Sequence, residues 1–273
     1  MIELFMPRRW NKTEERKSKQ ELIRLYVKEN KTIGDIASIL GLAESSIYQR
    51  LLRLGIKSTP FKKITYKNIN HNITIPKTYS EQLAEMVGIL LGDGHLSPTQ
   101  VTVTLGKKDE YVDYVCGLMG KLFNVKPKVI TTKDGHYVIY LGSARLVRWF
   151  LNMGLAFNKV DSQVDIPSWC VKKRNFLVNT VRGLIDTDGS VYKLRSGNVQ
   201  ISFCNRSIPL LKSTRLALVS LGFFPSKISG FNIYLTRKND LRLYFNKIGF
   251  NNKKNEKRFL EFNNGRLVEQ QTH

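Results

Sequence analysis

The feature that most constrains this chain is a nine-residue pattern that occurs twice. Residues 86–94 read MVGILLGDG and residues 181–189 read VRGLIDTDG, so Gly88 matches Gly183, Asp93 matches Asp188 and Gly94 matches Gly189. In the second copy Leu177, Val181, Leu184 and Ile185 recur at i, i+4, i+7 and i+8, which predicts a helix with one broad apolar face. Gly189 is expected to end that helix in a positive-φ cap. Just inside the end lie Asp186 and Asp188, where a carboxylate faces the negative pole of the helix dipole at a cost of up to about 1 kcal/mol unless a cation compensates. A glycine fixed within a helix lets a second backbone approach closely. Two such helices side by side bring Asp93 and Asp188 to one end, and two carboxylates held together there make a divalent-cation site.

The pattern belongs to a longer duplication. Asp93 and Asp188 are 188 − 93 = 95 residues apart; Ile139-Tyr140-Leu141 recurs as Ile233-Tyr234-Leu235, Gly154 as Gly249, and Asn158-Lys159 as Asn252-Lys253, at offsets of 94 or 95. Each copy is expected to run helix, two strands, helix, two strands, helix, which sets the class as mixed α/β. Val101, Val103 and Leu105 alternate with Gln100, Thr102 and Thr104, and Val199, Ile201 and Phe203 with Asn198, Gln200 and Ser202. That is the mark of a half-buried strand. The polar sets are amides and hydroxyls, groups that can read base edges in a major groove.

Charge points to the partner. Lys and Arg number 44 against 22 Asp and Glu, a net charge of +22, and a polyanion is the natural complement. No run of 18 apolar residues is present, which favours nucleic acid over membrane. An apolar share of 42% is high for a packaging protein. Cys116, Cys170 and Cys204 lack CxxC spacing and are expected to be reduced thiols of an intracellular protein, cytoplasmic in a prokaryote or phage, or organellar. The four histidines are scattered, which argues against a zinc finger.

Ahead of the duplication, residues 1–17 are expected to form a basic arm. Ser18 with Glu21 suits a capping box, followed by Leu22, Leu25 and Tyr26 at helical spacing. A second helix is expected from Thr32 and a third over Glu44–Leu54, with Gly41 turning between them. The third would place Ile47, Leu51 and Leu54 inward and Ser45, Ser46, Tyr48, Gln49, Arg50 and Arg53 outward. This resembles a helix-turn-helix whose third helix reads DNA, except that Ala43 stands where Ser or Thr is the commoner cap.

The paired nonapeptides resemble the LAGLIDADG homing endonucleases, over about Tyr79–Phe262. The resemblance implies two pseudo-symmetric αββαββα repeats forming a saddle-shaped DNA-binding sheet, with an all-α unit added in front. The expected division is a basic arm (1–17), a helix-turn-helix (18–59), a linker (60–78), a first repeat (79–156), a linker (157–175), a second repeat (176–262) and a tail (263–273). It implies a monomeric, Mg²⁺-dependent enzyme that breaks both strands of a long asymmetric DNA site and leaves short 3′ overhangs. Asp93 and Asp188, with Gly92 and Thr187 beside them, would hold the metal. Basic residues at Lys107, Lys193 and Arg206 would complete the catalytic set, and the polar strand residues would contact DNA. Gly106 departs from the family, which often has Gln there. A non-catalytic DNA-binding regulator on the same scaffold and an RNA-splicing maturase are the alternatives. Because a terminal His-Asn is lacking, a free-standing or intron-encoded enzyme is expected rather than an intein.

Overall fold

The structure is a computed structural model that describes residues 12–29, 31, 33–56, 72–107 and 110–262. The chain divides into two compact units, Met1–Thr65 and Tyr66–His273. The arm before Lys12, most of the first linker and the tail lie outside the described residues. No helix among those described is long and apolar enough to cross a membrane.

In the first unit α1 (Lys12–Leu22) runs on into a π-helical turn (Ile23–Lys28), followed by α2 (Ile33–Leu40) and α3 (Glu44–Arg53). The first helix therefore starts ahead of the expected capping box, and Ser18 lies within it. The run KTEERKSKQEL is rich in Glu, Lys, Arg and Gln, all good helix formers, and their propensity carries the helix upstream of the Ser18 signal. Gly41, at φ +62°, opens the three-residue turn between α2 and α3. Ala43 is the N-cap of α3 and makes no side-chain capping bond. Leu22, Leu25, Ile36, Ile47, Leu51 and Leu54 form the core, while Ser45, Ser46, Tyr48, Gln49 and Arg53 are exposed and Arg50 is half-buried.

The second unit holds both repeats. The first consists of α4 (Glu81–Gly92), β1 (Gly94–Ser97), β2 (Gln100–Lys107), α5 (Tyr111–Phe123), β3 (Lys128–Thr131), β4 (His136–Gly142) and α6 (Ala144–Asn152). Its antiparallel sheet has the order β1-β2-β4-β3. A short helix, α7 (Ser168–Lys172), leads into the second repeat: α8 (Arg174–Asp188), β5 (Gly189–Lys193), β6 (Val199–Cys204), α9 (Ile208–Ser220), β7 (Asn232–Leu235), α10 (Lys238–Lys247) and α11 (Lys253–Phe262). This is the mixed α/β architecture of two related repeats expected from the sequence.

Three features differ from expectation. The second sheet has three described strands, β5-β6-β7, rather than four. Where the fourth would run, the Ser226 N–H donates to the Tyr234 carbonyl at 2.9 Å, but the Ser226 hydroxyl, not a backbone carbonyl, accepts from the Tyr234 N–H, so the ladder is left incomplete. Second, residues 157–175 are more than a tether, since Val164, Ile166, Trp169 and Cys170 are buried in the core. Third, Ile73 already belongs to that core, with the neighbouring Thr74 N–H bonded to the Phe123 carbonyl, so part of the expected first linker is core structure.

Candidate active site

The site is built where α4 and α8 lie against each other. A Cβ at Gly88 would stand 2.3 Å from the Thr180 carbonyl oxygen, and one at Gly183 would stand 2.4 Å from that of Glu85. Glycine at both positions is therefore what brings the backbones into contact, and Thr180 Oγ1 donates across the seam to the Ala84 carbonyl at 3.2 Å. The contact persists to the C-terminal ends. A Cβ at Gly92 would meet Thr187 Oγ1 at 2.0 Å and Asp188 Cγ at 3.5 Å. Gly189 serves differently from expectation. Gly189 has φ −96°, an extended conformation open to any residue, so it is not a left-handed cap. It is glycine because a Cβ would strike the Ile185 carbonyl at 2.3 Å, and Gly94 is crowded by Leu90 in the same way.

Asp93 caps α4 and Asp188 is the last residue of α8, so both carboxylates emerge at the meeting point. The Asp93 carbonyl accepts from the Thr104 N–H at 3.1 Å, tying the helix end to β2. Asn205 donates to Asp188 Oδ2 at 2.7 Å. Burial pushes the Asp188 carboxyl up, against the lowering effects of Asn205 and Lys159.

Lys159 is the residue the sequence reading noticed only as a repeat landmark. Its ammonium donates to the carbonyls of Leu90 at 3.2 Å and Leu91 at 3.1 Å, and also to that of Gly92. Burial lowers its pKa, while nearby Asp188 and Asp93 raise it. A cation thus sits at the negative pole of α4, beside both carboxylates. The second half does this job without charge. Asn252 donates to the Asp186 carbonyl at 2.9 Å, and Asn255 to that of Ile185 at 3.4 Å. Asp186 itself is buried, and its Oδ2 accepts from the Asn251 N–H at 2.8 Å, so the sixth motif position belongs to the core.

The other basic residues are placed differently. Lys193 ends β5, four residues beyond Gly189 or roughly 13 Å along a strand. Its Cε reaches the Gly197 turn, so it stands away from the aspartates: the count of five residues after Asp188 ignored that a strand follows at once. Lys107 follows an irregularity between Leu105 and Lys107 and lays its methylenes against Gly135. Arg206 is exposed next to Asn205. Among the expected DNA-contacting residues, Gln100 and Thr102 are half-buried and Thr104 and Asn198 exposed. Gln200 at 8% and Ser202 at 9% are buried, contrary to expectation.

The donor set fits a hard divalent cation. Two carboxylates and the Gly92 and Thr187 carbonyls offer oxygen ligands, the bound Lys159 ammonium shows that the spot attracts positive charge, and Gly92 keeps it open. Among the described residues no group of three or more His, Cys, Asp or Glu side chains offers the alternative of a closed side-chain site.

Residues 175–262 match the model of the LAGLIDADG-like domain, and the first repeat carries the same motif in the same place. Residues 175–262 thus form a LAGLIDADG-like domain. It is 25% identical over 192 residues, 68% of its length, to the glutamine–fructose-6-phosphate aminotransferase (isomerizing) of Methanocaldococcus jannaschii, but spans only 17% of that protein. Among solved structures it resembles I-DmoI in complex with DNA and Ca, at 18% identity over 62% of this chain and 88% of that one, with a TM-score of 0.46. Full-length DUF199/WhiA from Thermatoga maritima is similar at 15% identity over 73% and 63%, also at 0.46.

Proposed function

We propose that this protein is a site-specific DNA endonuclease that breaks both strands of a long asymmetric site, leaving short 3′ overhangs, as a monomer using Mg²⁺. The observation that carries the reading is the convergence of Asp93, Asp188 and Lys159 at the joined ends of α4 and α8. Asp93 and Asp188, with the Gly92 and Thr187 carbonyls, would hold the metal. Metal bound there supplies Lewis acidity and an activated water. Asn205 orients the Asp188 carboxylate, and the glycine seam keeps the two carboxylates close enough to face adjacent phosphates of opposite strands. Lys159 brings positive charge to where negative charge grows during cleavage. The net charge of +22 attracts the duplex, and α3 with its exposed Gln49 and Arg53 extends the contact as a helix-turn-helix reader. The aminotransferase similarity lends no activity, since it covers less than a fifth of that enzyme.

The test is selection of cleaved duplexes from a randomised library with Mg²⁺, repeated with EDTA. A defined product with both strands cut, present with Mg²⁺ and absent with EDTA, supports the proposal. A second reading, a DNA-binding regulator without nuclease activity, is favoured by one observation: the Lys159 ammonium already satisfies Gly92, a carbonyl the metal would use. Selective binding with no cleavage under Mg²⁺ or Mn²⁺ would establish that reading instead. Cleavage or splicing confined to an intron RNA would point to a maturase.

A further inference from the structure

The two sheets are built from corresponding segments, yet their outer faces differ. On the first sheet, cross-strand rows set Thr102 beside Tyr140 and Thr104 beside Val138 and Ile130. Thr104 is exposed, as is Ile130 at 52%. Hydroxyls, the Gln100 amide and apolar groups that suit a thymine methyl are therefore all presented outward.

The second sheet lacks the fourth strand and covers its polar row. Tyr192 is directly opposite Gln200, and Tyr234 directly opposite Ser202, on the strands flanking β6. Burial, and after it the neighbouring Tyr234 phenol, raise the pKa of Tyr192. Beneath them Gln200 and Ser202 are buried, and the Ser202 hydroxyl is already donated to the Ser190 carbonyl at 3.4 Å. In these two rows the sheet offers a ligand a pair of phenol hydroxyls. Each can donate or accept, so each finds a partner on any base pair, whereas a glutamine amide selects adenine through two simultaneous bonds.

We propose that base discrimination is concentrated in the half-site beneath the first sheet, and that the second sheet meets DNA through Tyr192 and Tyr234 rather than through Gln200 and Ser202. This rests on the reading of the chain as a DNA-binding endonuclease. The experiment uses the full chain in Ca²⁺ and a selected target, with every position substituted singly and the affinity measured. An iron chelate attached to Ser196→Cys, exposed in the β5–β6 turn, in a Cys116→Ser, Cys204→Ser background, marks which half-site lies under the second sheet. Losses of about tenfold or more are expected at several positions of the unmarked half, and about threefold or less at most positions of the marked half. Gln100→Ala should relax discrimination at a position in the unmarked half, while Gln200→Ala should relax none. Equal discrimination in the two halves, or a position relaxed by Gln200→Ala, overturns the inference while leaving the DNA-binding reading intact. Failure to select any preferred duplex sinks that reading itself, and this inference with it.

Discussion

A carboxylate at the end of a helix opposes the dipole, and the two motif aspartates are accommodated there by different means. Lys159 neutralises the end of α4, whereas amides from Asn252 and Asn255 satisfy the end of α8. Asp93→Asn and Asp188→Asn should each lower double-strand cleavage by about a hundredfold or more with DNA affinity nearly unchanged, because the lost charge serves a metal and not a base. Cleavage at the unmodified rate by either variant, read on a supercoiled plasmid, would refute the shared-metal arrangement. Lys159→Met keeps the stem and removes the ammonium. It should reduce cleavage by about a hundredfold and, through the lost compensation at the helix end, reduce stability by about 1 kcal/mol in denaturant titrations. Unaltered cleavage would confine Lys159 to capping. The aspartates are legible in the sequence because each is fixed to its glycines within one local motif. Lys159 and Asn205 are not, since they reach the site from 67 residues beyond Gly92 and 17 beyond Asp188, through folding rather than spacing.

At the scale of elements, the α4–α8 seam is a contact between main chains, so it leaves little slack for an added atom. Gly88→Ala would set a methyl 2.3 Å from the Thr180 oxygen, which neither helix can yield by a rotamer change. The expected loss is about 3 kcal/mol in chemical unfolding, with cleavage falling as the helix ends part. Full stability would mean that the helices are less tightly joined than described. The order of elements is readable from periodicity through most of the duplication, and the alternation over β2 correctly separates buried Val101, Val103 and Leu105 from the rest. It fails in two places for identifiable reasons. Polar residues on β6 look outward by alternation but are roofed by tyrosines of neighbouring strands, which one strand's pattern does not record. The missing strand before β7 goes with a serine hydroxyl taking the place of a backbone carbonyl, a detail subtler than the repeat symmetry that implied the strand.

For the molecule as a whole, charge sets how it meets its partner. Each phosphate neutralised on duplex DNA contributes a slope of roughly −0.9 in log K against log salt, and a slope magnitude of about 5 or more is expected. A nearly flat titration would assign the basic surplus to another purpose. Removing residues 1–60 should weaken binding and shorten the protected region at one end only, because the described residues include a single trihelical unit; cleavage should persist at high enzyme concentration. An unchanged footprint would give that unit a role away from DNA. The seam between the repeats also carries a record of descent. Buried Glu85 accepts from Tyr114 of its own repeat at 2.8 Å and, across the seam, from Asn251, and Arg182 approaches it across the seam to 3.6 Å. By the motif register the counterpart of Glu85 is Thr180, and that of Arg182 is Val87. A second repeat pairing with its own twin would keep the glycine fit but set each half-buried Arg182 without the Glu85 carboxylate it now faces. Once duplication had allowed the copies to diverge in this way, each half became committed to its sibling, and return to a self-paired ancestor was closed.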